Sequence, residues 1–331
     1  MAILVTGGSG YIGSIAVEIL RASGEDIVVV DDFLRGHEAA LSSDVPFYNG
    51  KIGDRELIRR VIREHNIEAC VHFAALTYVG ESVENPLYYY ENNAVQTLIL
   101  IEELVRGKIE MIVFSSTAAT YGEPEYSPLD ESHPQCPENP YGWGKLFAER
   151  ALESTSIAHG LRFVGLRYFN AAGASEDRGE DHTPESHLIP NVIFAAMGLR
   201  PNISVFGTNY ATPDGTPIRD YVHVIDLAEA HKLALSYLRE GGVSEFVNLG
   251  NGKGYSVFEV IETTRCVTKK NIEVNIESPR MGDPSFLVAN SEKATKLFNW
   301  KPQYGQLEQI IDSAWAWHNK FPSGYGDNHG I

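Results

Sequence analysis

Residues 2–13 read AILVTGGSGYIG, a short apolar run that breaks into a glycine-rich turn and continues into an amphipathic stretch, Ser14 to Ala22. The turn satisfies two spacings at once, Gly8-x-Gly10-x-x-Gly13 and Gly7-x-x-Gly10-x-x-Gly13. Glycine at these places permits a tight turn and lets the backbone approach a pyrophosphate, whose charge meets the helix N-terminus. Strand before and helix after are the context that gives such a turn its meaning. Asp31 closes the next apolar run, DIVVVDD (26–32), 18 residues past Gly13. A carboxylate there accepts from a ribose 2′-hydroxyl and repels a 2′-phosphate, so the expected cofactor is NAD rather than NADP.

The alternation continues. Leu57, Ile58, Val61 and Ile62 have helical spacing, 69–75 reads as a strand, and a long helix is expected from about Pro86 to Arg106. Strands follow at 111–116 and 163–170, on either side of a helix that holds Tyr141. Buried strands separated by helices predict an α/β fold with a doubly wound, Rossmann-like parallel sheet. Past Asn170 the pattern changes, and Gly, Pro, Asp and Asn accumulate at 171–187 and 207–219. The expected division is a dinucleotide domain over 1–169 and a smaller mixed α/β domain over 170–331, with the chain crossing back between them. A net charge of -17 disfavours nucleic acid and anionic membrane, and requires a local basic site for any anionic ligand. Cys70, Cys136 and Cys266 form no spaced cluster and the histidines show no metal-ligand spacing, so neither disulfide nor metal is expected. MAILVTGG has no basic residue ahead of its apolar run, and no stretch approaches the roughly 20 apolar residues of a membrane helix. A cytoplasmic protein is the expectation.

NPYGWGK (139–145) places Tyr141 four residues before Lys145. Tyrosine titrates near pH 10, and bringing it to 7 requires roughly 4 kcal/mol of preferential stabilisation of the phenolate. Positions four apart share a helix face, so Lys145 can supply part of that and also reach a cofactor ribose. FSSTAATYG (114–122) offers the hydroxyls of Ser115, Ser116 and Thr117 at the C-terminal edge of the sheet, where doubly wound folds bind ligands.

With these motifs in order, the chain resembles the extended short-chain dehydrogenases/reductases and, among them, the UDP-glucose (UDP-galactose) 4-epimerases. Further segments carrying the resemblance are HFAALTYVGESVENPLYYYENN, LRYFNAAGA, HLIPNV, FGTNYATPDGTPIRDYVHV, NLGNGKGYSV and, near the end, FPSGYGD. The resemblance implies that Tyr141 is the acid/base, Lys145 its electrostatic partner and Thr117 the hydroxyl on the sugar oxygen. It places NAD against Gly7, Gly10, Tyr11, Ile12, Gly13, Asp31, Ile52, Phe73, Ala74, Asn92, Ser115, Tyr141, Lys145 and Tyr168. It places the UDP-sugar against Thr117, Tyr141, Asn170, His187, Leu188, Phe206, Arg219, Tyr221, Arg280, Asp283 and Leu287. The two arginines suit a diphosphate, whose oxygens match guanidinium forks. The implied reaction is inversion at carbon 4 through a transient 4-keto sugar with tightly held NAD, in a homodimer. UDP-pentoses or UDP-uronates are alternative substrates. A 4,6-dehydratase is disfavoured, because Thr117 is followed by Ala118 and Ala119, which carry no proton to transfer.

Five positions depart from the family pattern. Lys51 replaces an aspartate expected to accept from the adenine amine, and Thr77 replaces a lysine found in some members. Ile15 stands for histidine, and Gly144 for serine or threonine inside a helix, where glycine costs about 0.5–1 kcal/mol relative to alanine. Leu287 occupies the substrate gate, intermediate between small residues that admit N-acetylated sugars and a tyrosine that excludes them.

Overall fold

Strands that are apolar on both faces demand cover on both sides, and the sheet here has it. The computed structural model describes residues 1–280 and 283–326. Its strands are β1 Ala2–Thr6, β2 Asp26–Asp31, β3 Phe47–Asn49, β4 Ile67–His72, β5 Met111–Thr117, β6 Arg162–Tyr168, β7 Asn170–Ala172, β8 Ile203–Phe206, β9 Ile218–His223, β10 Glu245–Leu249, β11 Gly254–Ser256, β12 Val274–Glu277 and β13 Phe286–Leu287. Its α-helices are α1 Tyr11–Ala22, α2 Arg55–His65, α3 Val79–Glu84, α4 Pro86–Tyr89, α5 Gln96–Arg106, α6 Pro140–His159, α7 Leu188–Ala196, α8 Val224–Arg239, α9 Val257–Thr268, α10 Glu292–Phe298 and α11 Leu307–Lys320.

The large sheet is parallel throughout, in the order β10-β6-β5-β4-β1-β2-β3. The order reverses between β1 and β4, which opens a crevice beyond the ends of Thr6 and His72. One face is covered by α1 and α8, with Val17, Leu20, Leu227 and Leu235 packed on Val5, Val71 and Val113. The other is covered by α2, α5 and α6, with Ile58, Leu100 and Leu152 packed on Leu4, Cys70 and Ile112. Ile15, fully buried against Val224 and Ala228, belongs to the α1–α8 contact, which accounts for its departure from histidine. A small sheet of β11, β9 and β13, joined by β7, and the β8–β12 pair lie beside α7, α9 and α11, with their own apolar clusters. The final residue of the FPSGYGD segment, Asp327, and residues 281, 282 and 328–331 of the expected second domain lie outside the described residues.

Two details differ from the sequence reading. The run expected as a strand over 163–170 is β6 plus a separate β7, which pairs with β9. The long helix from Pro86 to Arg106 is interrupted by a π-helical turn at Tyr90–Val95. Widened turns of this kind reset which residues face inward. Here the turn carries Asn93, whose amide spans the backbone of Leu76, accepting from its N–H and donating to its C=O, both at 2.8 Å.

Buried histidines set the acid limit of the fold. His231 donates from Nδ1 to the Leu227 carbonyl at 2.8 Å and faces Ser115 Oγ at 3.2 Å, while His72 sits between Thr6 and Thr97. Burial pulls His72 down to about 3 and His223, His231 and His318 to about 4. These values lie below the ordinary 6.5, so the unfolded chain takes up protons first as pH falls. The stability they contribute is complete above about pH 6.5 and is lost as pH falls toward 4. Asp220, pushed up to about 6 by burial, and His187, which the Glu180 and Glu185 carboxylates hold above its ordinary value against burial, oppose them over part of that window, two groups against four. Urea unfolding at pH 5 should therefore give a free energy about 4 kcal/mol below that at pH 7. A flat profile would contradict the neutral buried histidines.

Candidate active site

The register of β5 and β6 sets Thr117 directly beside Tyr168 at the C-terminal edge of the sheet. α6 begins there. Asn139 caps it, its Oδ1 accepting from the Gly142 amide at 2.9 Å, and Pro140 occupies the first turn. A Cβ on Gly142 would lie 2.6 Å from the Ala119 carbonyl oxygen, so only glycine lets the helix rest on the Ala118–Thr120 turn that follows Thr117. A Cβ on Gly144 would lie 3.3 Å from that of Asn93 in the π-helical turn. The glycine that weakens the helix locally thus seats it against its neighbour. Tyr141 is thereby held over the edge of the sheet, its ring packed against Leu76, Tyr78 and Tyr89.

Burial pushes the Tyr141 phenol above its ordinary value, and the nearby Thr117 hydroxyl pulls it back. Lys145 is buried one turn along, as the spacing predicts. Its Nζ donates to the Ser115 carbonyl at 2.8 Å and lies 5.0 Å from the centre of the Phe114 ring. Burial lowers Lys145 to about 7, with the Glu149 carboxylate opposing the fall. The ammonium is therefore anchored to the sheet backbone, and the near partner of the phenol is Thr117. Ser115 stands behind the lysine and outside the cleft, with its hydroxyl on Tyr168 and His231.

Glu149 is fully buried. It accepts from Arg167 at 2.9 and 2.7 Å, from Ser116 Oγ at 2.5 Å and from Gln135 at 2.8 Å. Sequence reasoning missed Glu149 and Arg167. The available signal was the spacing of Glu149, four residues past Lys145 on the same helix face.

A cleft with roughly 1490 Å³ of empty space, open mouth included, runs from Tyr141 along the crevice between β1 and β4. Gly7, Gly10, Tyr11, Ile12, Gly13, Asp31, Ile52, Phe73, Ala74, Asn92, Thr117, Tyr141, Lys145, Tyr168, Asn170 and His187 all line it. So do Lys51, Thr77 and Ser116. The glycine turn is closed on itself, since a Cβ on Gly13 would meet the Gly7 carbonyl oxygen at 2.0 Å and one on Gly7 the Ala74 amide at 2.4 Å. Gly10 caps α1 without a side chain, which leaves the helix N-terminus accessible to an anion. Asp31 accepts from the Ser9 and Phe33 amides, both at 2.9 Å. A carboxylate has about four lone-pair sites, so capacity for a ribose hydroxyl remains. These residues fit a dinucleotide.

The remaining predicted residues gather beyond the cleft, around the small sheet. Arg219 is ion-paired with Asp283, and the Arg280 guanidinium lies 4.0 Å from the centre of the Phe206 ring. β13 runs beside β9 with Leu287 opposite Arg219, and Leu287 packs against Ala118, Tyr121 and Phe169 near Thr117. Tyr221 is buried on β9 opposite Asn170, and Leu188 opens α7 next to His187.

A parallel sheet in this order, a glycine turn at its crevice and a Thr–Tyr–Lys set at its edge define a nucleotide-dependent enzyme of the short-chain dehydrogenase/reductase type. The profile of the NAD dependent epimerase/dehydratase family matches residues 3–250, and the chain belongs to that family. It is 51% identical to the UDP-glucose 4-epimerase of Halalkalibacterium halodurans over 327 residues, 98% of each chain. It is 49% identical to that of Streptococcus mutans over 331 residues, 99% of each. A crystal structure of a UDP-glucose 4-epimerase superposes with a TM-score of 0.96 at 47% identity, over 99% of this chain and 100% of that one. The Bifidobacterium longum UDP-glucose 4-epimerase in complex with NAD+ and UDP superposes with a TM-score of 0.93 at 36% identity, over 98% and 100%.

Proposed function

We propose that this chain interconverts UDP-glucose and UDP-galactose by inverting carbon 4 of the sugar. The observation that carries the reading is the pairing of Tyr141 with Thr117 on one wall of a dinucleotide cleft, in a chain similar along its whole length to UDP-glucose 4-epimerases. The glycine turn, Asp31 and Lys145 would hold NAD in the cleft, where it would supply a reversible hydride acceptor. Tyr141 takes the proton from the sugar 4-hydroxyl and returns it after inversion. Thr117 orients that oxygen. Lys145 fixes the edge of the sheet and adds positive charge beside the phenol. Arg219, Arg280 and Phe206 anchor the UDP moiety while the sugar turns. General acid/base assistance of this kind contributes about 10²–10⁴-fold. Incubating the purified protein with UDP-galactose, without added NAD, tests the reaction and the retention of cofactor together. Conversion to UDP-glucose is expected, and an inert protein with NAD bound would refute the reading.

Residues 1–169 form the cofactor domain in this reading, and 170–326 most of the sugar-nucleotide domain, with α8 and β10 returning to the large sheet. No helix among the described residues is long and apolar enough to cross a membrane, and the enzyme works in the cytoplasm. The protein pairs as a homodimer through the face on which Val95, Leu98 and Phe147 are exposed, where the Tyr90 and Phe147 rings meet. Sedimentation should show a dimer at micromolar concentration, and Phe147→Glu should yield monomers.

Leu287 is a smaller side chain than the tyrosine that excludes N-acetylated sugars, and it packs beside Ala118 and Phe169 next to Thr117. The wild type should therefore turn over UDP-N-acetylgalactosamine, and Leu287→Tyr should lower kcat/KM for that sugar by about tenfold or more, with little change for UDP-galactose. Parallel losses on both sugars would show that Leu287 is no gate.

A further inference from the structure

Between β7 and α7 the chain reads GEDHTPESH over residues 179–187, and this segment forms one wall of the cleft. Glu180, His182, Glu185 and His187 converge there, each offering one donor atom, all within 4.8 Å of one another. His187 Nδ1 lies 2.7 Å from Glu180 Oε1 and 3.1 Å from Glu185 Oε1, and His182 Nδ1 lies 3.2 Å from Glu180 Oε1 and 3.8 Å from Glu185 Oε2. Four ligands at zinc bond lengths in a tetrahedron stand about 3.3 Å apart. The four distances bracket that value.

Two further observations point to a cation. The Glu180 and Glu185 side chains are 6% and 2% exposed, so two buried carboxylates face one cluster in the wall of the cleft. Of their neighbours, His182 Nδ1 and Glu185 Oε2 are buried without a hydrogen-bond partner. A buried polar atom without a partner is costly, and the lone pairs of the unprotonated Nδ1 and of the carboxylate oxygen are both satisfied by a metal. Two carboxylates, two neutral imidazoles and a divalent ion also sum to zero charge. Two nitrogen and two oxygen ligands suit zinc or another divalent first-row transition metal, while calcium and magnesium prefer oxygen alone.

We propose that Glu180, His182, Glu185 and His187 bind one zinc ion that pins the 179–187 segment over the cleft. The site is closed by four protein ligands and is structural. It uses Nδ1 of His187 and leaves the other ring nitrogen for the cleft that His187 lines. The ion ties α7, which His187 caps, to a segment held elsewhere by Arg35 on the Thr183 carbonyl and by the edge contact of His182 with Tyr11. The absence of a helical metal-ligand spacing in the sequence is consistent with this, since a loop brings the ligands together.

The test uses untagged protein. Metal analysis after dialysis should find one zinc per chain. Protein stripped with a chelator should regain one equivalent on titration with Zn²⁺, with a rise in Tm that saturates at that point. Titration with Co²⁺ should give the visible absorption of a tetrahedral site. Glu185→Gln and His182→Gln, each checked for fold by circular dichroism, should each weaken zinc binding by more than about 100-fold, beyond what loss of an outer-shell partner produces. Stripped wild type that takes up no zinc with a change in Tm, or variants that bind as the wild type does, would overturn the site and leave a metal-free ion-pair cluster. Because uptake and Tm are read without substrate, failure here is separate from failure of the epimerase reading.

Discussion

Tyr141→Phe should lower kcat for UDP-galactose by about 10²–10⁴-fold while leaving UDP affinity within a factor of about three. The substitution removes one oxygen. The ring remains among Leu76, Tyr78 and Tyr89, so the fold has no cause to change. The lost group is the one that meets Thr117 at the end of the cleft, and phenylalanine has no proton to exchange with a sugar hydroxyl. Calorimetric UDP binding measured beside turnover separates lost chemistry from lost binding. Turnover within tenfold of wild type would remove Tyr141 from the acid/base role, and lost UDP binding would show a structural effect instead.

Arg167→Met should destabilise the protein by about 3–5 kcal/mol. Its partner Glu149 is fully buried and takes two hydrogen bonds from the guanidinium. Methionine leaves that carboxylate buried and uncompensated, which is the costly way to break an ion pair. The double variant Glu149→Gln/Arg167→Met removes both charges and should recover much of the stability. It should not recover the activity, because Glu149 is the charge that holds Lys145 up against burial. Urea unfolding of the three proteins checks the first point, and kcat of the double variant the second. Equal stability of wild type and Arg167→Met would mean that Glu149 takes up a proton at little cost.

The parts of this fold legible in the sequence are those written locally. The glycine turn is contiguous, and the apolar runs of β1, β2, β4 and β5 are each closed by helices with their own periodicity. Tyr141, Lys145 and Thr117 lie within 29 residues, and their roles follow from pKa and helix spacing. What escaped depends on contacts distant in sequence. The π-helical turn at Tyr90–Val95 leaves the apolar pattern looking like one continuous helix, because the contact it serves, Asn93 on the Leu76 backbone, is distant in sequence. Gly144 reads as a helix defect until Asn93 is seen against it. Glu149 and Arg167 stand on different elements, α6 and β6, and neither announces the other. His187 is legible as a substrate-binding residue, but its grouping with Glu180, His182 and Glu185 is not, because metal motifs are recognised by helical or hairpin spacing and these four are gathered by a loop.

Turnover of UDP-galactose carrying deuterium at carbon 4 tests most directly whether Tyr141 and the cleft invert that carbon through a ketone. In buffered H₂O, followed by proton NMR, the UDP-glucose formed should retain the deuterium at carbon 4, with a slower rate than the unlabelled sugar. Loss of the label to solvent, or its retention with no inversion at carbon 4, would contradict the proposed chemistry.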